Sequence, residues 1–80
     1  MDFKKSTDEL FDSISHKEFA EALGVSVAAI RQARLNPKAN AYRGPPAGWQ
    51  KTVLRLAKKR LAHYQRMVVE LEKVANTAVN

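Results

Sequence analysis

Ser15-His16-Lys17-Glu18-Phe19-Ala20-Glu21-Ala22-Leu23-Gly24-Val25-Ser26-Val27-Ala28-Ala29-Ile30-Arg31 reads as two short helices joined by a glycine turn. Ser15 and Glu18 have the spacing of a capping box: the serine hydroxyl accepts from the Glu18 amide while the carboxylate reaches back to the Ser15 amide. A helix over 16–23 then buries Phe19, Ala20 and Leu23 on one face. Gly24 ends it, because glycine enters the left-handed conformation without a steric penalty. Val25 is short and apolar, and Ser26 offers a second N-cap for a helix over 27–34. That helix has an inner line of Val27, Ile30 and Ala33 or Arg34, with Ala33 the expected inner residue. Its outer face is Ala28, Arg31, Gln32 and Leu35.

The flanks extend the helical pattern. Residues 1–6 read as a frayed start, with Thr7 capping a first helix over 7–13 and Asp8 and Glu9 near its positive end. Leu10, Phe11 and Ile14 fall on one face of it. Downstream, Asn36-Pro37 stops the third helix, and residues 36–48 form a basic loop long enough to suggest a function of its own. From 47 to 78 no glycine or proline follows Gly48. There Leu54, Ala57, Leu61, Tyr64, Val68, Leu71, Ala75 and Ala78 alternate by three and four, as in a coiled-coil seam. About thirty helical residues span ~45 Å, more than the ~30 Å of a small domain. One end must therefore project, and its seam calls for a second copy. Trp49, Val53 and Leu56 lie on a neighbouring face, suited to pack on the short helices, with Trp49 the core anchor.

Charge is distributed unevenly. The chain has 80 residues, 14 Lys and Arg against eight Asp and Glu, and net charge +6. Between Glu21 and Glu70 there is no acidic residue, yet ten of the cations fall there: Arg31, Arg34, Lys38, Arg43, Lys51, Arg55, Lys58, Lys59, Arg60 and Arg66. A one-sign field of this kind favours an anionic partner. There is no cysteine, which removes disulfides and thiolate metal sites. His16 and His63 have no ligand partners at metal-site spacing, so neither a metal nor a cofactor is expected. No stretch suits a membrane span and no signal-peptide pattern opens the chain, so the expected location is the bacterial cytoplasm, on the nucleoid. No constellation for catalysis is present, and the chain is expected not to be an enzyme.

Residues 18–35 resemble the helix-turn-helix of Cro/repressor-like, XRE-type regulators of bacteria and phages, on Phe19-Ala20, Leu23-Gly24-Val25 and Ile30. Ala20 must be small where the helices cross, Gly24 makes the turn, and Leu23, Val25 and Ile30 fill the wedge. The close match covers about 20 residues. The resemblance implies an all-α, single-domain protein over residues 1–80: a helical core and helix-turn-helix over 7–35, the loop, and a long dimerisation helix.

It also implies a mechanism, in which the helix after Ser26 enters the major groove of double-stranded DNA. Ser26, Val27, Ala28, Arg31, Gln32 and Leu35 become the base-reading residues. Arg31 matches guanine O6 and N7, Gln32 matches adenine N6 and N7, and Ala28 matches a thymine methyl. Ser15, His16, Lys17, Arg34, Lys38, Tyr42 and Arg43 are the expected backbone contacts. For the loop a second reading stays open, in which Tyr42 packs on Trp49 and the prolines launch the long helix. Lys58-Lys59-Arg60 is read as a solvated face, and His63 as exposed. The dimer interface is Leu54, Ala57, Leu61, Tyr64, Val68, Leu71 and Ala75. The function implied is a homodimeric repressor or autoregulator on an inverted repeat, as on mobile elements, with contact to RNA polymerase open as a route to activation. The alternatives are an excision or recombination accessory factor and a protein-binding antitoxin or anti-activator.

Overall fold

Local capping signals place three short helices before one long one. The computed structural model describes residues 1–79, with side chains through Asn76. The helices are α1 (Phe3–Leu10), α2 (His16–Leu23), α3 (Val27–Ala33) and α4 (Trp49–Val79), with no strand among the described residues. Ala78, the last position of the expected seam, lies outside the described side chains.

α2 and α3 begin where their serines predict. The Ser15 hydroxyl accepts from the Glu18 amide at 3.1 Å and the Ser26 hydroxyl from the Ala29 amide at 3.0 Å. α2 ends at Gly24, whose φ of 75° is left-handed, and the Val25 amide donates to the Ala20 carbonyl at 3.0 Å. This satisfies a carbonyl that the helix end would otherwise orphan. Only half of the capping box forms, because the Glu18 carboxylate turns to Arg60 on α4, 3.0 Å away. An ionised donor gives the stronger hydrogen bond, and this one ties α2 to α4.

The first helix starts earlier than the sequence suggests. Its N-cap is Asp2, whose carboxylate accepts from the Lys5 amide at 2.8 Å. Thr7 is fully buried inside the helix and donates its hydroxyl to the Phe3 carbonyl at 2.8 Å, so it caps nothing. The reason is tertiary. Phe3 is buried between Phe19, with ring centroids 6.1 Å apart, and Trp49, edge-on at 5.2 Å. Burying such a ring stabilises by about 1.5–3 kcal/mol, which outweighs the fraying of one helical turn.

The core is Phe3, Leu10, Ile14, Phe19, Ala20, Ile30, Ala33 and Leu56, with Trp49 and Val53 packed against it. The face of α4 that begins with Trp49 therefore closes the helical head, as its spacing predicts. Beyond the head α4 runs on alone. The chain measures 61 × 20 × 20 Å with a radius of gyration of 16.9 Å. A compact chain of this length has a radius of ~12 Å, so the projection is real and not a matter of surface detail.

Arg34, read as a DNA-backbone contact, is engaged inside the head. Its guanidinium binds the Asp8 carboxylate and lies 4.9 Å from the centroid of the Phe11 ring. Asp8 also accepts from Lys4 at 3.0 Å. The Lys4 hydrogen bond holds the Asp8 carboxyl below the ordinary aspartate range, partial desolvation opposes it, and the charges of Lys4 and Arg34 lower it further. A folded-state pKa below the unfolded one stabilises above the unfolded value of about 4, and that contribution disappears as pH falls through the folded value. Asp8→Asn is accordingly expected to melt earlier than wild type at pH 7 and to converge with it in strong acid. Melting curves from neutral to acid pH check this; a constant offset at every pH contradicts the pair's role.

Candidate nucleic-acid interface

The outer face of α3 is set by how its inner face packs. Ile30 and Ala33 are buried, which turns Ala28, Arg31 and Leu35 outward. Leu35 remains 41% exposed, and Gln32 is half-buried at the edge of this face. Val27, expected among the base-reading residues, packs against the core instead, being one helical turn before Ile30 on the inner line. Ser26 is exposed, but its hydroxyl is held by the α3 cap.

The N-terminus of α2 contributes Lys17, exposed, and His16, whose ring lies 4.0 Å from that of Phe11. That contact fixes the imidazole and keeps it half-buried. Ser15 is exposed and committed to its own cap.

The loop is tied to α3. The Arg43 amide donates to the Gln32 carbonyl at 3.3 Å, which brings the far side of the loop back to the end of the helix. The Arg43 guanidinium donates to the carbonyls of Tyr42, at 2.8 Å, and Asn40, at 3.3 Å. Asn36 accepts from the Lys38 amide through its side chain and from the Ala39 amide through its backbone, forming a turn that leaves Lys38 exposed. Tyr42 is half-buried, while the aromatic partner of Trp49 is Phe3. Loop length suggested a role for this segment; the return hydrogen bond to Gln32 had no local sequence signal.

No family model, curated protein or solved structure matches this chain.

Of the ten cations in the acid-free stretch, Arg34 and Arg60 are bound to carboxylates. The other eight have no ion pair among the described residues, Arg31 included. Arg60 thus departs from the solvated face expected for Lys58-Lys59-Arg60, while Lys58, Lys59 and His63 are exposed. The uncompensated charge lies on the outer face of α3, on the loop and along α4. No described group of His, Cys, Asp or Glu residues is arranged to hold a metal ion, and no described helix is long and apolar enough to cross a membrane.

Proposed function

We propose that the chain is a sequence-specific DNA-binding regulator that acts as a homodimer, with α3 in the major groove and α4 joining two copies. The observation that carries this reading is the outer face of α3. It presents Arg31, exposed and without a carboxylate partner among the described residues, between small Ala28 and exposed Leu35, in a field where eight cations have no ion pair among those residues. An unpaired guanidinium keeps its planar donor fork free for bidentate recognition. Two capped helices joined by three residues, with the pattern of Cro/repressor-type regulators, support the same docking geometry. Lys17 and Lys38 extend toward the DNA backbone, and the half-buried Gln32 reads from the edge of the face.

The exposed apolar positions of α4, Leu54, Leu61, Tyr64, Val68 and Leu71, support the dimer. Ala57 and Ala75 continue the same seam and are also exposed. The proposed action is simple occupancy of an operator, as a repressor or autoregulator. Binding at the groove and at the dimer seam requires neither cofactor nor enzymatic step.

The test is a titration of labelled DNA, including the promoter of the gene itself, at two salt concentrations. One saturable site that survives competitor DNA is expected, with affinity falling as salt rises. Arg31→Ala should reduce discrimination between specific and random DNA by about 10- to 100-fold, the value of one bidentate contact. Lys17→Ala should weaken all sequences alike and lower the salt slope by about one. If both variants bind as wild type, α3 does not read DNA. If affinity falls equally for all sequences as salt rises, binding is architectural and not regulatory.

A further inference from the structure

The dimer proposed above leaves the orientation of the two long helices open, and the charges along α4 decide it. Residues 51–66 carry Lys51, Arg55, Lys58, Lys59, Arg60 and Arg66 without a carboxylate. Glu70 and Glu72 follow within the described helix. The seam continues through both regions. Its exposed members include Leu61, Tyr64, Val68 and Leu71, at 57, 45, 50 and 57% exposure. Taking Leu54, Leu61, Val68 and Ala75 as heptad position a, and Ala57, Tyr64 and Leu71 as d, places Lys58, Gln65 and Glu72 at e. Met67 and Val74, both exposed, stand at g and widen the apolar stripe on the other side.

Two alignments of a second copy are available. In a parallel pair, position g of one helix faces the following e of the other, which sets Met67 beside Glu72 and Arg60 beside Gln65. That arrangement makes no ion pair and brings the two basic segments level with each other. In an antiparallel pair, a faces d, so Leu61 meets the partner copy's residue 71, Tyr64 meets its residue 68, and the dyad passes near Arg66. Equivalent e positions then face each other, and Lys58 meets the glutamate at position 72 of the other copy, twice by symmetry. Both side chains are exposed and without a partner of their own among the described residues.

The head adds a second feature with the same polarity. α1 and α4 border an open groove whose apolar side is Leu10, Val53, Ala57, Leu61 and Tyr64, with Glu9 and Arg60 also lining it. In the antiparallel alignment the apolar end of the second copy, with Leu71, Val74 and Ala75, runs alongside Ala57 and Leu61 at the edge of this groove. The heads then lie at opposite ends of the pair. About 20 residues of helix separate the Leu56 anchor of one copy from that of the other, an axial distance of ~30 Å. Adjacent major-groove half-sites are one helical turn, ~34 Å, apart.

We infer that α4 pairs with a second copy of this chain in antiparallel orientation, with Leu61 against residue 71 and Lys58 against residue 72 of the other copy. This rests on the dimer reading but not on DNA binding. The chain has no cysteine, so introduced ones are unique. Purified full-length Leu61→Cys and Leu71→Cys variants are oxidised separately and as an equimolar mixture. The inference expects a disulfide-linked species in the mixture and little in either variant alone. Self-crosslinking of each variant alone, without a mixed product, overturns it in favour of a parallel pair. A wild-type mass of one chain by light scattering at micromolar concentration overturns both the orientation and the dimer. A mixed crosslink in a protein that fails to bind DNA upholds the orientation and defeats the DNA reading.

Surface charge gives a second readout that leaves the seam intact. Glu72→Lys should weaken self-association about 10-fold, since two exposed attractions become repulsions. Adding Lys58→Glu should restore it. Absence of both effects overturns the inferred pairing.

Discussion

Phe19→Ala is expected to leave the protein largely unfolded at 37 °C. Phe19 has no solvent exposure, and its ring centroid lies 6.1 Å from that of Phe3 and 5.8 Å from that of Phe11. It sits on α2, the helix that contacts both α3 and α4, so one truncation loosens three elements. Removing a buried phenylalanine costs about 3–5 kcal/mol through lost transfer energy and the cavity left behind. Small domains lie near the lower end of the usual 5–15 kcal/mol, so this loss consumes most of the available stability. Trp49 packs edge-on against Phe3 and reports on the same core. Its fluorescence during urea denaturation should show a midpoint shifted far toward zero denaturant. Leu35→Ala, on the exposed face of α3, should stay within about 0.5 kcal/mol of wild type. Equal midpoints for Phe19→Ala and Leu35→Ala would place the core elsewhere.

The contrast between these two positions marks what the sequence makes legible. Ser15, Gly24 and Ser26 act on amides within a few residues of themselves, so their roles as caps and turn can be read from short windows. The inner faces of α3 and α4 are also legible, because helical periodicity places Ile30, Ala33, Trp49 and Leu56 without knowledge of their neighbours. The start of α1 is not. Asp2 caps the Lys5 amide locally, but Phe3, which fixes where the helix starts, gains its value from Phe19 and Trp49, which only the folded chain brings near. Thr7 offers the same cap chemistry as Ser15, and nothing local shows that burial has converted its hydroxyl to an intrahelical donor.

Long-range ion pairs were equally silent. Arg34 finds Asp8 across 26 positions and Arg60 finds Glu18 across 42. An arginine at the edge of a helical face suits an internal carboxylate and an external phosphate equally well, because the same fork serves both. Among the residues expected at DNA, Arg34 holds a carboxylate within the head, and Val27 packs against the core on the inner line where its spacing also places it. Periodicity alone places Arg31 on the outer face of α3, where it is exposed and has no ion pair among the described residues. The candidate interface is therefore narrower than the acid-free stretch, and in the proposed function its affinity would depend on two copies acting together.

That dependence gives the second large effect. Leu61→Glu is expected to convert the dimer to a monomer and to lower affinity for a two-half-site operator by about 10²–10⁴, the usual gain from linking two binding modules. Leu61 is 57% exposed on the projecting seam, so the isolated chain has little to lose in folding from the change. In the proposed dimer, the same residue would be enclosed by the other copy, where two unpaired carboxylates, one from each copy, would be desolvated at considerable cost. Val69→Glu is the control. Val69 is 50% exposed and lies off the seam, adjacent to Val68 on the helix. It should keep the mass of two chains and near-wild-type binding. Light scattering reads the mass, and titration of one- and two-half-site DNA reads the affinity. Loss of affinity confined to the two-site DNA identifies bivalency as its source, whereas an equal loss on single half-sites would mean that the glutamate had damaged the reading head itself. An unchanged mass for Leu61→Glu removes the seam from the dimer interface.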